Sequence, residues 1–222
     1  MIQVEELTVC YGAAVALDRV SLRVSRGEMV ALVGANGAGK STLLNALSGV
    51  VRAASGSIRI GGRFAHVPEG RQLFPDLTVD DNLRLGAFRV RERDPGWIYE
   101  LFPDLVRVRK QQAGSLSGGQ QQMVAIGRAL MSRPDVIAID EMSLGLAPLV
   151  VRDLGRQLTE LNAQQGLAVL LVEQNARLAL TLCSTAYVFE TGRVAAHGAC
   201  HELARSAAIA SAYFGGPSEG VS

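Results

Sequence analysis

The chain has 222 residues, 48% of them hydrophobic, and a formal net charge of +1. That length suits one α/β domain with room for a small helical appendage, and the apolar share excludes a disordered chain. A charge this close to neutral carries no basic footprint for nucleic acid and no acidic tail for a basic partner.

The longest apolar runs, such as residues 136–139 and 167–172, are far too short to cross a bilayer. Met1-Ile2-Gln3-Val4-Glu5-Glu6 lacks a basic stretch followed by an apolar core and reads as mature sequence. The protein is therefore expected in the cytosol, docked on any membrane that it serves. Cys10, Cys183 and Cys200 are odd in number and far apart, the pattern of reduced thiols. His197 and His201 are spaced as helical metal ligands, but Gly198 intervenes and no third ligand is near. They read as ordinary polar residues at a helix start.

Residues 2–10 and 15–24 alternate apolar and polar positions around Tyr11-Gly12-Ala13, which predicts two strands with one wet face. Residues 29–33, 136–139 and 168–172 are almost wholly apolar, as strands covered on both faces are. Helices are predicted over 40–47, 118–131 and 149–163, ending at Gly49, before Pro134 and before Gly166. Such alternation argues for an α/β sandwich. Between them, Thr78-Val79-Asp80-Asp81 has capping-box logic, Leu83, Leu85 and Phe88 follow at helical spacing, and Asp94-Pro95-Gly96 makes a turn before a second helix over 97–106. Residues 76–115 are thus expected to form a small helical insertion within a single domain spanning 1–222.

Gly34-Ala35-Asn36-Gly37-Ala38-Gly39-Lys40-Ser41 fits the P-loop pattern and lies between an apolar strand and a helix. Glycines let backbone N–H groups curl around phosphate, and the helix N-terminus adds a favourable dipole. Lys40 brings a point charge to the β- and γ-phosphates, Ser41 offers a hydroxyl to Mg²⁺, and Gly34, Asn36, Gly37, Gly39 and Thr42 complete the cradle. A glycine-rich turn with an incidental lysine is the plainer alternative, and the flanking strand and helix argue against it.

Residues 136–139 run into Asp140 and Glu141. Asp140 is placed to hold Mg²⁺ through water, and Glu141 to orient or deprotonate an attacking water. Leu116-Ser117-Gly118-Gly119-Gln120 opens a helix with Ser117 as natural N-cap, a second anion site beside an ordinary capped helix as its blander reading. One nucleotide needs one phosphate cradle, so a second suggests two chains clasping ATP between them.

These elements, in this order, resemble the ATP-binding domain of ABC transporters, and residues 116–120 match that family's signature sequence. The resemblance covers nearly the whole chain. It implies a P-loop NTPase of the ABC ATPase type, with a mainly parallel core sheet, an antiparallel β subdomain and a small helical subdomain. It also implies a head-to-tail dimer in which Ser117, Gly118, Gly119 and Gln120 face the partner's ATP, with Tyr11 stacked on adenine.

A closer likeness rests on Val67-Pro68-Glu69-Gly70-Arg71, Leu77-Thr78-Val79-Asp80-Asp81-Asn82-Leu83, Ser143-Leu144-Gly145-Leu146-Ala147-Pro148 and Val172-Glu173-Gln174-Asn175-Ala176. It is to one ATPase subunit of branched-chain amino acid importers (the LivF type). That likeness implies a second ABC ATPase subunit in a heterodimer, transmembrane permease subunits, indirectly a solute-binding protein, and a peripheral place on the cytoplasmic face of the inner or plasma membrane. It sets Glu69 and Gln174 near the γ-phosphate, where most of the wider family carry glutamine and histidine.

The chain departs from this likeness at Gly61-Gly62-Arg63-Phe64-Ala65-His66, which replaces a further helical segment, and at Met142, where proline usually follows Glu141. Competing readings are a regulatory nucleotide-binding module with weak or no hydrolysis, a urea or amide importer ATPase, and a non-transport ABC ATPase acting on ribosomes or DNA. Retention of Lys40, Ser41, Asp140 and Glu141 argues against the first. Glu69 stands where urea importer ATPases usually keep glutamine. No second ATP domain, coiled coil or zinc module supports the last.

Overall fold

The computed structural model describes residues 1–205. β1 (Ile2–Tyr11) and β2 (Ala14–Val24) pair antiparallel around Gly12 and Ala13, and β4 (Ser55–Ile60) pairs antiparallel with the other edge of β1. Alternation decides which face is dry: Ile2, Val4, Leu7 and Val9 are buried while Gln3 and Glu5 are exposed.

The second sheet has six strands in the order β5, β6, β7, β3, β8, β9. These are β5 (Phe64–Val67), β6 (Val136–Asp140), β7 (Ala168–Glu173), β3 (Met29–Gly34), β8 (Thr185–Glu190) and β9 (Arg193–Ala199). All neighbours run parallel except β8 and β9. The apolar runs of β3, β6 and β7 are buried throughout because each serves two cores. Val30, Leu32, Ala138 and Leu170 pack with the antiparallel sheet and Leu43, Leu44 and Leu47 of α1 (Lys40–Leu47). Ala31, Val33, Ile137 and Leu171 pack against the helices of the opposite face. The fold is therefore the α/β P-loop architecture with an antiparallel β part.

Those helices are α4 (Gly118–Leu130), α5 (Pro148–Gln165) and α6 (Ala176–Leu182), with α7 (Cys200–Arg205) following β9. α5 runs two residues beyond its predicted end and closes on Gly166, whose φ of 67° supplies the left-handed cap. Within 76–115 lie α2 (Val79–Gly86), α3 (Gly96–Leu101) and a 3₁₀ turn over Pro103–Val108. The single helix expected over 97–106 is broken in two at Pro103, which lacks the N–H a continuing helix needs. α2 starts at Thr78, whose hydroxyl accepts from the Asp81 N–H. A Cβ on Gly86 would stand 1.8 Å from the carbonyl oxygen of Arg128, so α2 and α4 meet backbone to backbone.

Three residues suffice where a further segment was expected after β4. Gly61 and Gly62 turn the chain, Arg63 N–H donates to Asp135 Oδ2 at 2.8 Å, and β5 then pairs in register with β6. Gly62 has φ of 122° and lies so close to Asp135 that a Cβ would clash at 2.6 Å. The short bridge still delivers Pro68 and Glu69 to the end of the sheet. His197, expected at a helix start, lies instead in β9 with its ring stacked on Tyr187 at 5.5 Å. No helix among the described residues is long and apolar enough to cross a membrane.

Candidate functional site: a phosphate-sized cleft at the ends of the parallel strands

The chain leaves β3 at Gly34, makes a glycine loop and enters α1. Gly37 and Gly39 have φ of 80° and 105°, a region that side chains resist and this tight curl requires. α1 has no side-chain cap, whereas the N-termini of α2, α4 and α6 are capped by Thr78, Ser117 and Asn175. The mouth of α1 thus keeps its N–H groups and dipole for an anion.

A cleft of about 260 Å³ opens there, lined by Asn36, Gly37, Gly39, Lys40, Ser41, Thr42, Glu69, Asp140 and Glu141 among others. Three residues of the glycine loop and three of the first turn of α1 thus meet three acids from two other segments. Parallel strands end on the same side, so β6 carries Asp140 to the loop that follows β3. Lys40 Nζ donates to the carbonyls of Gly34 at 2.8 Å and Ala35 at 3.2 Å and lies 3.7 Å from Glu141 Oε1.

The Asp140 carboxyl is pushed up to about 6, first by burial and then by the charges of Glu141 and Glu69. Lys40 and the Ser41 hydroxyl, which bonds to Asp140, pull the other way. A carboxylate crowded by like charges and paired with a hydroxyl is a hard-oxygen donor set that suits Mg²⁺. Ser41 and Asp140 would hold that ion, whose charge would offset the crowding of the acids.

Glu141 sits at φ of 50°, held by its N–H to the Val172 carbonyl at 2.9 Å. Its Oε2 accepts from the Gln174 N–H at 3.4 Å, which brings the exposed Gln174 beside the acid. Met142 is fully buried in the core, so packing anchors the turn where a proline would stiffen it.

Other expected residues stand apart. Tyr11 is half exposed at the end of β1 and does not line the cleft. Ser117, Gly118, Gly119 and Gln120 lie at the start of α4, outside the cleft, and form a full capping box. Ser117 Oγ accepts from Gln120 N–H at 3.3 Å and Gln120 Oε1 accepts from Ser117 N–H at 3.1 Å. The N–H of Gln120 is therefore already engaged, and Gly118 and Gly119 carry what this helix end offers an anion.

Sequence reasoning missed Val15, Ala16, Thr191 and Gly192, which also line the cleft. It also missed Arg71. That guanidinium donates to Gln121 Oε1 at 3.1 Å and to the Leu144 carbonyl at 3.3 Å, tying the Glu69 loop to α4 and to the loop after Glu141. No local pattern marks such long-range bonds; only the fold brings them together.

The family described as ABC transporter matches residues 17–143. A high-affinity branched-chain amino acid transport ATP-binding protein, BraG of Pseudomonas aeruginosa, is 44% identical over 97% of this chain and 100% of its own. A probable branched-chain amino acid transport ATP-binding protein, LivF of Archaeoglobus fulgidus, is 31% identical over 91% of this chain and 94% of its own. Among solved structures, a dimeric ATP-binding cassette in a post-hydrolysis state with ADP and Pi is 25% identical over 90% of this chain and 99% of its own, with a TM-score of 0.82. The cleft, the sheet order and these likenesses agree, and the chain belongs to the ABC transporter family.

Proposed function

We propose that this chain binds MgATP in the cleft, hydrolyses it, and powers the uptake of branched-chain amino acids through a membrane permease. The observation that carries the chemistry is the convergence of Lys40, Ser41, Asp140 and Glu141 on one cleft. Lys40 and the loop N–H groups hold the β- and γ-phosphates, and Ser41 and Asp140 hold Mg²⁺. Glu141 takes the proton of the attacking water, and Gln174 donates a hydrogen bond to the γ-phosphate but takes no proton. Glu69 lines the same cleft and senses the phosphate, and Tyr11, outside the cleft, stacks on the base.

The solute follows from BraG, whose name gives branched-chain amino acid transport and which is similar along its full length. The dimeric relative supports a pair of cassettes; in this reading the pair is head to tail, with Ser117, Gly118, Gly119 and Gln120 facing the partner's nucleotide. In this reading residues 1–222 act as one nucleotide-binding unit. The partner is a second ABC ATPase, the assembly docks on permease subunits at the cytoplasmic face, and a solute-binding protein feeds it.

Exposed Phe74, Leu77, Leu85 and Phe88, all within residues 69–88, supply an apolar docking surface for the permease. Reconstitution with the permease and a solute-binding protein tests the proposal. ATP-dependent leucine uptake is expected, and uptake of urea in its place would move the chain to the amide importers.

A further inference from the structure

Glu173, the last residue of β7, has no exposure to solvent, and the chemistry above does not use it. Its Oε1 accepts the backbone N–H of Ser143 at 3.0 Å, and its Oε2 accepts the Ser143 hydroxyl at 2.8 Å. The Asn175 backbone N–H donates to the same carboxylate. Among the described residues no cation pairs with it. Burial pushes its carboxyl up to about 7, the nearby charge of Glu141 adds to the rise, and the bonds from Ser143 and Asn175 oppose it. A buried, unpaired acid is costly, and a core residue would fill the space without that cost.

Its placement gives it a task. Ser143 is two residues beyond Glu141, and Gln174 is the next residue after Glu173. Glu141 itself is held in the left-handed region, with Leu144 N–H closing the turn on the Glu141 carbonyl at 3.2 Å. The Glu173 carboxylate therefore joins the loop carrying the acid to the segment carrying Gln174. On the far side of the same loop, Arg71 grips the carbonyl of Leu144. The turn lacks a stiffening proline at Met142, so its geometry depends on these grips and on packing.

We propose that Glu173 is a positioning residue for hydrolysis, whose carboxylate clamps Ser143 and thereby fixes Glu141 and Gln174 relative to each other. The proposal rests on the reading that Glu141 and Gln174 act at the γ-phosphate. Glu173 is fully buried and does not line the cleft, so it should act on turnover and leave nucleotide binding alone.

Steady-state ATPase of the intact chain, in complex with its partners, tests this. Glu173→Ala breaks the clamp and should lower kcat about tenfold or more while KM for ATP stays within about twofold. Glu173→Gln keeps an acceptor for the Ser143 N–H and a donor for its hydroxyl, and should restore kcat to within about threefold of wild type. Ser143→Ala should lower kcat by roughly threefold and add nothing on a Glu173→Ala background, since one clamp cannot be lost twice.

Wild-type kcat in Glu173→Ala would overturn the proposal. So would equal losses in Glu173→Ala and Glu173→Gln, or a full additional loss from Ser143→Ala in the double variant. If Glu173→Ala fails to fold, Ser143→Ala and Glu173→Gln decide alone: the first must slow turnover and the second must largely preserve it. Glu141→Gln is measured alongside. If it is inactive while Glu173→Ala is fully active, only the clamp is wrong. If Glu141→Gln is fully active, the underlying reading of the acid falls and the clamp falls with it.

Discussion

The ammonium of Lys40 lies 3.7 Å from the Glu141 carboxylate, and the two side chains are 6% and 12% exposed. The cation proposed to bind phosphate and the acid proposed to activate water thus share one desolvated wall. Lys40 is satisfied by Glu141 and by the carbonyls of Gly34 and Ala35. In the proposed reaction a γ-phosphate would compete with Glu141 for the lysine and free the acid for water.

Lys40→Ala removes the only cation lining the cleft among the described residues. It should weaken ATP binding by about 100-fold or abolish it, since charge-assisted bonds to phosphate are the strongest in such a cradle. Calorimetric titration with ATP reads this directly, and unchanged affinity would remove the phosphate-binding role of the loop.

Gln174→His should raise the turnover of this chain by roughly threefold to tenfold with little change in ATP affinity, because imidazole can take a proton that an amide cannot. Gln174 lies beside Glu141 but is exposed, so the exchange leaves the core intact. Exchanging the corresponding residue of the second ATPase in the proposed heterodimer completes the comparison. Equal effects from the two exchanges would show that the two ATP sites are equivalent.

Glu173→Gln also has a pH-dependent effect on stability. The folded carboxyl titrates at about 7 against an ordinary 4.5, with Glu141 the charged neighbour that reinforces the rise. Between these values the folded chain retains a proton that the unfolded chain has released. The wild type is therefore relatively most stable below about pH 4.5 and loses stability as pH rises through 7. Glutamine has no such titration. The variant's melting temperature should gain on wild type between pH 5 and pH 8 by roughly 2 kcal/mol, or about 4–8 °C for a chain of this size. A gap that stays constant over that range would show that Glu173 does not titrate there.

Much of this architecture was legible because its signals are local. The strands β1, β3, β6 and β7 announce themselves by alternation or by unbroken apolar runs, and the loop from Gly34 to Ser41 carries its own chemistry. The unread parts depend on distant contacts. Apart from Val194, β9 is a run of alanine, glycine and polar residues with weak strand preference, stabilised by pairing with β8. The turn at Thr191 and Gly192 reaches the cleft because Gly192 N–H bonds to the Ala38 carbonyl and Asp18 N–H to the Gly192 carbonyl. The grip of Glu173 on Ser143 spans 30 residues of sequence, and no spacing rule foretells it.

Docking on a permease can be mapped by crosslinking. Asp76 and Asp80 lie among the exposed apolar residues Phe74, Leu77, Leu85 and Phe88. Cysteines placed at either position should crosslink to a permease subunit in the assembled transporter. Phe88→Asp, at a side chain 77% exposed, should cut permease-stimulated turnover severalfold while leaving the basal rate of the chain within about twofold. Crosslinks that never reach a permease would place the docking surface elsewhere.

In the proposed cycle Glu141 activates water in a nucleotide sandwich that hydrolysis reopens. The most direct measurement is light scattering of Glu141→Gln, with and without MgATP, beside its ATPase rate. Glutamine keeps the size of the side chain but is a far poorer proton acceptor. The expected result is undiminished ATP binding, a loss of turnover of about 100-fold or more, and a dimer that persists only when ATP is present. A variant that hydrolyses ATP at the wild-type rate, or one that binds ATP and stays monomeric, would contradict the account.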